Sequence, residues 1–128
     1  MSKEEKVCVK VLMNTINYAA KEIAKFDYDY KDKLKGLNEL IAWKVGDNIS
    51  FYTEIKDGDI NGSEGTASIN PTITFEISDI EVALKIFTGK QDILELGDKV
   101  KISGDIKKIE GLNYILDTVK EYIGDLTK

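Results

Sequence analysis

Near Leu40 the hydrophobic period of this chain switches from helical to two-residue, and that switch dictates two layers. Before it, Val9, Leu12, Ile16, Ala19, Ile23 and Phe26 recur at spacings of three and four. That spacing predicts a helix over about residues 3 to 25 with one apolar stripe. The stripe reads as a core-packing face rather than a membrane-surface one. After Leu40, Ile41, Trp43 and Val45 alternate with Ala42 and Lys44, and Ile49, Phe51, Thr53 and Ile55 alternate with Tyr52 and Glu54. Alternation of this kind makes a hairpin with one apolar face, turning at Gly46-Asp47-Asn48. One apolar face requires a second layer to cover it.

The remaining elements follow from local signals. FDYDYKDKLKGLNE is a charged connection with one helical turn around Lys31 to Lys35, ending at Gly36. Its Asp27, Asp29 and Asp32 interleave with Lys31, Lys33 and Lys35, so it reads as a solvated segment rather than a metal site. Lys56-Asp57-Gly58-Asp59 is a second turn. The strand after it, about Ile60 to Ser68, is polar and carries Gly62 and Gly65, which marks an edge. Asn70-Pro71 breaks the chain, and Ile73, Phe75 and Ile77 form the inward face of a further strand. Ser78-x-x-Glu81 is a capping box for a helix carrying Ile80, Ala83, Leu84 and Phe87, which Gly89 terminates. After a link containing Ile93, Leu94 and Leu96, Val100 and Ile102 mark a last strand. Asp105 caps a final helix in which Ile109, Leu112, Leu116, Val119, Ile123 and Leu126 step by three and four. The expected fold class is α+β: about five strands in one sheet, covered on one face by long helices. Residues 1–128 make a single domain.

Composition narrows the chemistry. The net charge of −5 argues against nucleic acid, which selects a basic footprint, and against tight docking on an anionic membrane. No run of about 18 apolar residues is present, and the N-terminus MSKEEKVCVKVLM does not read as a secretory signal, so a cytoplasmic protein is expected. Lone Cys8, inside the run VCVKVLM, reads as a small packed hydrophobe. The chain has no histidine, which excludes His-based triads and most zinc sites.

Three constellations invite a sharper reading. Asp57-Gly58-Asp59-Ile60-Asn61-Gly62 matches the first half of a calcium loop, but Ser68 stands where a bidentate Glu is needed and strands flank it. Asx and Gly residues are also what a hairpin turn demands, so the turn is the expectation. Gly58, Gly62 and Gly65 are not followed by Gly-Lys-Ser/Thr and open no helix, and Gly89-Lys90 lies after a helix rather than before one. Acidic pairs such as Glu4-Glu5 and Asp57-Asp59 sit in charged segments with nothing to raise one carboxyl above the other. No catalytic residue, metal or cofactor is expected. What remains is an apolar inventory.

The segment ITFEISDIEVALKIFTGKQDILELGDKVKISGDIKKIEGLNYIL, Ile73 to Leu116, resembles the sterol carrier protein-2 family in the order of its features. A strand from Thr72 to Asp79 runs into a helix ending Leu84-Lys-Ile-Phe-Thr-Gly-Lys90. Gly97, a strand from Lys99 to Asp105 and a helix with paired leucines follow. With the hairpin before it, the resemblance covers the chain from about Ile41 onward. The link from Gly89 to Gly97 is shorter than the family's, where it forms part of a tunnel lip.

The resemblance implies a five-stranded, mostly antiparallel sheet with a crossover, helices on one face, and a hydrophobic cavity between sheet and helices. It implies a non-enzymatic lipid-binding or lipid-transfer module for a fatty acid, acyl-CoA, isoprenoid or sterol-like ligand, with transient membrane contact. On that basis Trp43, Phe51, Ile73, Phe75, Leu84, Phe87, Leu94, Val100, Leu112 and Leu116 are candidate cavity walls, and Lys90 and Lys99 candidate head-group contacts. The alternative is an accessory protein-interaction domain of the same fold with a filled pocket. Magnitudes bear on the choice. An acyl chain of about sixteen carbons gains roughly 13 kcal/mol gross on burial. A pocket of ~400 Å³ left empty costs around 10 kcal/mol, against a domain stability of about 5–15 kcal/mol. The protein therefore either holds a ligand or closes the space.

Overall fold

The structure is a computed structural model in which residues 2–46, 49–66, 70–88, 90 and 97–126 are described. Its element order is α1 (Lys3–Phe26), α2 (Tyr28–Leu34), β1 (Asn38–Val45), β2 (Ile49–Lys56), β3 (Asp59–Glu64), β4 (Ile73–Ile77), α3 (Ile80–Phe87), β5 (Val100–Gly104) and α4 (Ile109–Leu126). The five strands form one sheet in the order β3-β2-β1-β4-β5. Among the described strands only β1 and β4 run parallel, since β4 pairs with β1 rather than with β3, the strand before it. This is the expected α+β class, with a mostly antiparallel sheet and a crossover.

The two sheet faces have opposite characters. Ile41, Trp43, Val45, Phe51, Ile55, Ile73, Phe75 and Ile77 are buried on the inner face, and the helices share the core with them. On the outer face Glu76 lies 3.9 Å from Lys44 of β1 and 3.9 Å from Lys101 of β5. That exposed charge ladder crosses three strands and contributes little to stability. Among the described residues, no helix is long and apolar enough to cross a membrane.

Several expectations are corrected in detail. The stripe of α1 does not reach Phe26, which is 80% exposed because the helix ends there and Asp27 caps α2. Met13, Asn17, Ala20 and Ala24 are buried instead, and Leu12 and Ala19 border the core. Cys8 is exposed rather than packed. In a helix the run VCVKVLM cannot all face one way, so Val9 and Met13 point inward while Val7, Cys8 and Val11 point out. A capping box at Ser2 and Glu5 starts α1, a signal the sequence carried without being read. The cap of α3 is Asp79, not Ser78: its carboxylate accepts the Glu81 N–H at 2.9 Å. Gly89, the expected terminator, lies outside the described residues, and α3 closes at Thr88.

The connection before β1 is more ordered than its charge suggests. Asp27 caps α2, and Tyr30 and Leu34 are buried from it. Asp57 and Gly58 both have positive φ, at 50° and 88°. That is the two-residue hairpin turn whose twist matches the strands it joins. Asp57 accepts the Gly36 N–H at 3.2 Å and Asp59 accepts Lys31 Nζ at 3.2 Å. The calcium-like motif is thus turn chemistry. Asp105 caps a 3₁₀ turn, Ile106–Lys108, that feeds α4.

Gly104 ends β5 with φ 100° where a Cβ would run into the Thr72 carbonyl. That carbonyl accepts the Asp105 N–H at 2.8 Å, so it cannot move away without losing the bond. Gly104→Ala is expected to destabilise the protein by roughly 2–4 kcal/mol, read by urea titration. Where α4 meets the α1–α2 junction, the Tyr122 hydroxyl donates to Asp27 at 2.7 Å. This bond, then the Tyr30 N–H, holds the Asp27 carboxyl below its usual value, and Asp27 in turn pushes the Tyr122 hydroxyl up. Burial pushes the Tyr30 hydroxyl up as well. The Asp27 contribution is present above about pH 4 and is lost as pH falls through its lowered value; the tyrosine contributions are present below about pH 10 and are lost above it. Thermal melts should fall off at both extremes. Tyr122→Phe should remove its share of the alkaline loss and leave that of Tyr30.

Candidate functional site

The inner face of the sheet is ordered in rows set by the strand register. One row runs Phe51, Trp43, Phe75, Ile102 from β2 to β5. Beside it lies Gly62, Thr53, Ile41, Ile73, Gly104, and on its other side Ile49, Val45, Ile77, Val100. The aromatic row holds the largest fully buried side chains of the sheet, Trp43, Phe51 and Phe75. The Trp43 indole stacks on Phe75 with centroids 4.8 Å apart, and Phe87 of α3 meets it edge-on at 5.8 Å. Offset stacking and edge contacts of this kind add about 0.5–1.5 kcal/mol each beyond area burial.

A buried polar chain fixes the same tryptophan. Its Nε1–H donates to Thr53 Oγ1 at 3.3 Å, and the Thr53 hydroxyl donates to Asn17 Oδ1 at 2.6 Å. The Asn17 amide then donates to the Tyr52 carbonyl at 3.3 Å. Asn17 is 4% exposed and Thr53 3%, so these groups depend on one another. The approach of Asn17 requires Gly62 on β3, where a Cβ would overlap the amide. Sequence reading missed this chain, although Asn17 occupies an inward helical position and Thr53 is the lone hydroxyl in an inward apolar alternation.

The expected wall residues divide by burial. Trp43, Phe51, Ile73, Phe75 and Leu112 are at most 1% exposed, and Phe87 and Val100 remain buried at 7% and 4%. Leu84 and Leu116 are half-buried and pack against the edge of the core. Leu94 lies outside the described residues. Lys90 and Lys99 are exposed, the first just beyond α3 and the second in the 3₁₀ turn before β5. The core row contains no nucleophile paired with a base. What it offers a ligand is dispersion and the exclusion of water.

Comparison with known proteins bears on this arrangement. The sequence model of the SCP-2 sterol transfer family matches residues 20–117. The chain belongs to that family. No curated protein matches the chain. Among solved structures, it is similar to the sterol carrier protein domain 2 of Helicoverpa armigera, at 16% identity over 83% of this chain and 85% of that one, with a TM-score of 0.62. It is similar to palmitated SCP2L2 from Aedes aegypti, at 18% identity over 80% of this chain and 91% of that one, with a TM-score of 0.55. The sec-alkylsulfatase Pisa1 from Pseudomonas sp. matches 67% of this chain at 21% identity and a TM-score of 0.53, and the chain spans 14% of that enzyme. These likenesses show the fold. Membership of the SCP-2 family assigns the domain to the lipid-binding and transfer class.

The polar chain gives a direct test. Asn17→Ala should remove an acceptor from Thr53 and a donor from Tyr52, at a cost of about 2–4 kcal/mol in urea unfolding. Trp43 emission should change with it. A loss under about 0.5 kcal/mol would mean that the amide does not anchor α1.

Proposed function

We propose that the chain is a non-enzymatic lipid-binding and lipid-transfer module, working in the cytoplasm, that takes an apolar chain between the inner sheet face and the helices. The carrying observation is the continuous aromatic and aliphatic row Phe51, Trp43, Phe75, Ile102 beneath α3, in a chain of the SCP-2 family. The palmitated relative supports an acyl ligand. Trp43, Phe51, Ile73, Phe75 and Val100 act as the sheet wall, and Leu84, Phe87, Leu112 and Leu116 as the helical wall. Leu94 falls in the link between Lys90 and Gly97, outside the described residues. Lys90 and Lys99, at either end of that link, supply positive charge for a carboxylate or phosphate head group.

Close mutual packing of Trp43, Phe75 and Phe87 supports a second reading, an accessory interaction domain with a filled interior. The two readings separate on one experiment. Native mass spectrometry and organic extraction of the purified protein should reveal lipid, and a fluorescent fatty acid should bind at micromolar levels and shift Trp43 emission. Leu116→Glu should weaken that binding at least tenfold while the circular dichroism spectrum is kept. Joint replacement Lys90→Gln and Lys99→Gln should weaken a fatty acid more than the matching alcohol. No co-purifying lipid and no displaceable fatty acid would sink the carrier reading and leave the accessory one.

A further inference from the structure

The outer face of α1 carries a second stripe, opposite the one that enters the core. Glu4, Val7, Val11, Asn14, Tyr18 and Lys21 alternate spacings of three and four, which is the seam of a heptad repeat. All six are exposed, and Val7, Val11 and Tyr18 keep 59%, 57% and 67% of their surface. Among the described residues, no element of this chain covers them. The stripe is acidic at its N-terminal end and basic at its C-terminal end.

We propose that α1 pairs antiparallel with α1 of a second copy of this chain. An antiparallel two-fold sets Glu4 opposite Lys21 of the second copy, Val7 opposite Tyr18, and Val11 opposite Asn14, and the symmetry repeats each pair. Both ends of the seam then carry an ion pair, and two Val–Tyr layers lie inside them. Parallel pairing would set Glu4 on Glu4 and Lys21 on Lys21. Asn14 beside Val11 penalises shifted registers, as a polar seam residue does in coiled coils. A lipid surface fits the stripe poorly, because it would have to bury Glu4 and Asn14 on the apolar side of a chain of net charge −5. The contact is small. A helix of this length spans ~36 Å, and one helix pair buries less than the ~1,200 Å² of a standard interface. The dimer is accordingly weak, dissociating on the order of 100 μM.

Sedimentation equilibrium of the whole chain up to about 1 mM should show a monomer–dimer equilibrium that weakens as salt rises. Val11→Glu should abolish it. Lys21→Glu should weaken it about tenfold, and adding Glu4→Lys should restore it to within about threefold, since only the antiparallel arrangement lets the two changes compensate. Orientation has its own readout. Thr15 and Cys8 flank the seam on the same side, so a thiol introduced by Thr15→Cys lies beside Cys8 of the second copy. Mild oxidation of that variant should give a dimer whose cross-linked peptides join these two positions. The unaltered chain should stay uncross-linked. A monomer at 1 mM, ready Cys8–Cys8 dimers, or a charge swap that fails to compensate would overturn the proposal. So would monomer binding to phosphatidylglycerol vesicles that Val11→Glu abolishes.

Discussion

The hydrogen bonds from Trp43 through Thr53 to Asn17 determine how the two layers meet. A stripe of Val9, Met13, Ile16 and Ala20 packs tolerably on a sheet at several rotations and shifts. A buried amide does not, because left unpaired it costs about 1–3 kcal/mol. Asn17 satisfies both ends of its amide only when α1 lies over β2 with Gly62 of β3 beneath it. The same chain orients the indole, and the indole orients Phe75 and Phe87 around it. One docking geometry of α1 therefore propagates across the sheet to α3.

A second set of contacts closes the other side of the helical layer. Tyr30 of α2 stacks on Tyr114 of α4 at 5.7 Å, and Lys33 Nζ sits 4.7 Å from the centre of the Tyr114 ring. With the Tyr122–Asp27 bond, these tie the last helix to the junction of the first two. The charged segment between Asp27 and Gly36 is thus a clasp built from aromatic faces. Asp29, Asp32 and Lys35 lie outermost, and Lys35 and Asp32 pair at 3.1 Å.

Periodicity and punctuation made most of the fold legible. The alternation Ile41-Trp43-Val45 and Phe51-Thr53-Ile55 placed the inner face, Asp57-Gly58 placed the hairpin, and Gly62 with few large side chains placed the edge. Where reading failed, the cause was angular. Cys8 and Phe26 belong to apolar runs, but helical rotation and the end of α1 turn them outward. Tyr30 was hidden among charges because burial acts through one side of a short helix, which a composition window averages away. The site was half legible. Trp43, Phe75 and Phe87 were named one by one from the resemblance, while their stacking depends on a register between β1 and β4 that local sequence does not encode. Asn17 was missed because a lone amide in a stripe looks like an interruption until its partner on β2 is known.

Packing also makes the interior unequal. The half toward β2 and β3 is pinned by Asn17 and its partners, and to move α1 there would break both hydrogen bonds of the Asn17 amide. Toward β5 the inner row ends in partly exposed Ile102, and Leu84 of α3 and Leu116 of α4 are likewise half-buried. Those side chains are held by dispersion alone, which acts over short distances and has no preferred direction. Shifting them exposes some apolar surface but leaves no polar group unsatisfied. An apolar ligand entering as proposed would replace that lost contact, so opening on this side would be nearly compensated, whereas opening beside Asn17 would not. The polar anchor beside Asn17 therefore leaves Ile102, Leu84 and Leu116 as the side of the interior where side chains shift without breaking a hydrogen bond of their own.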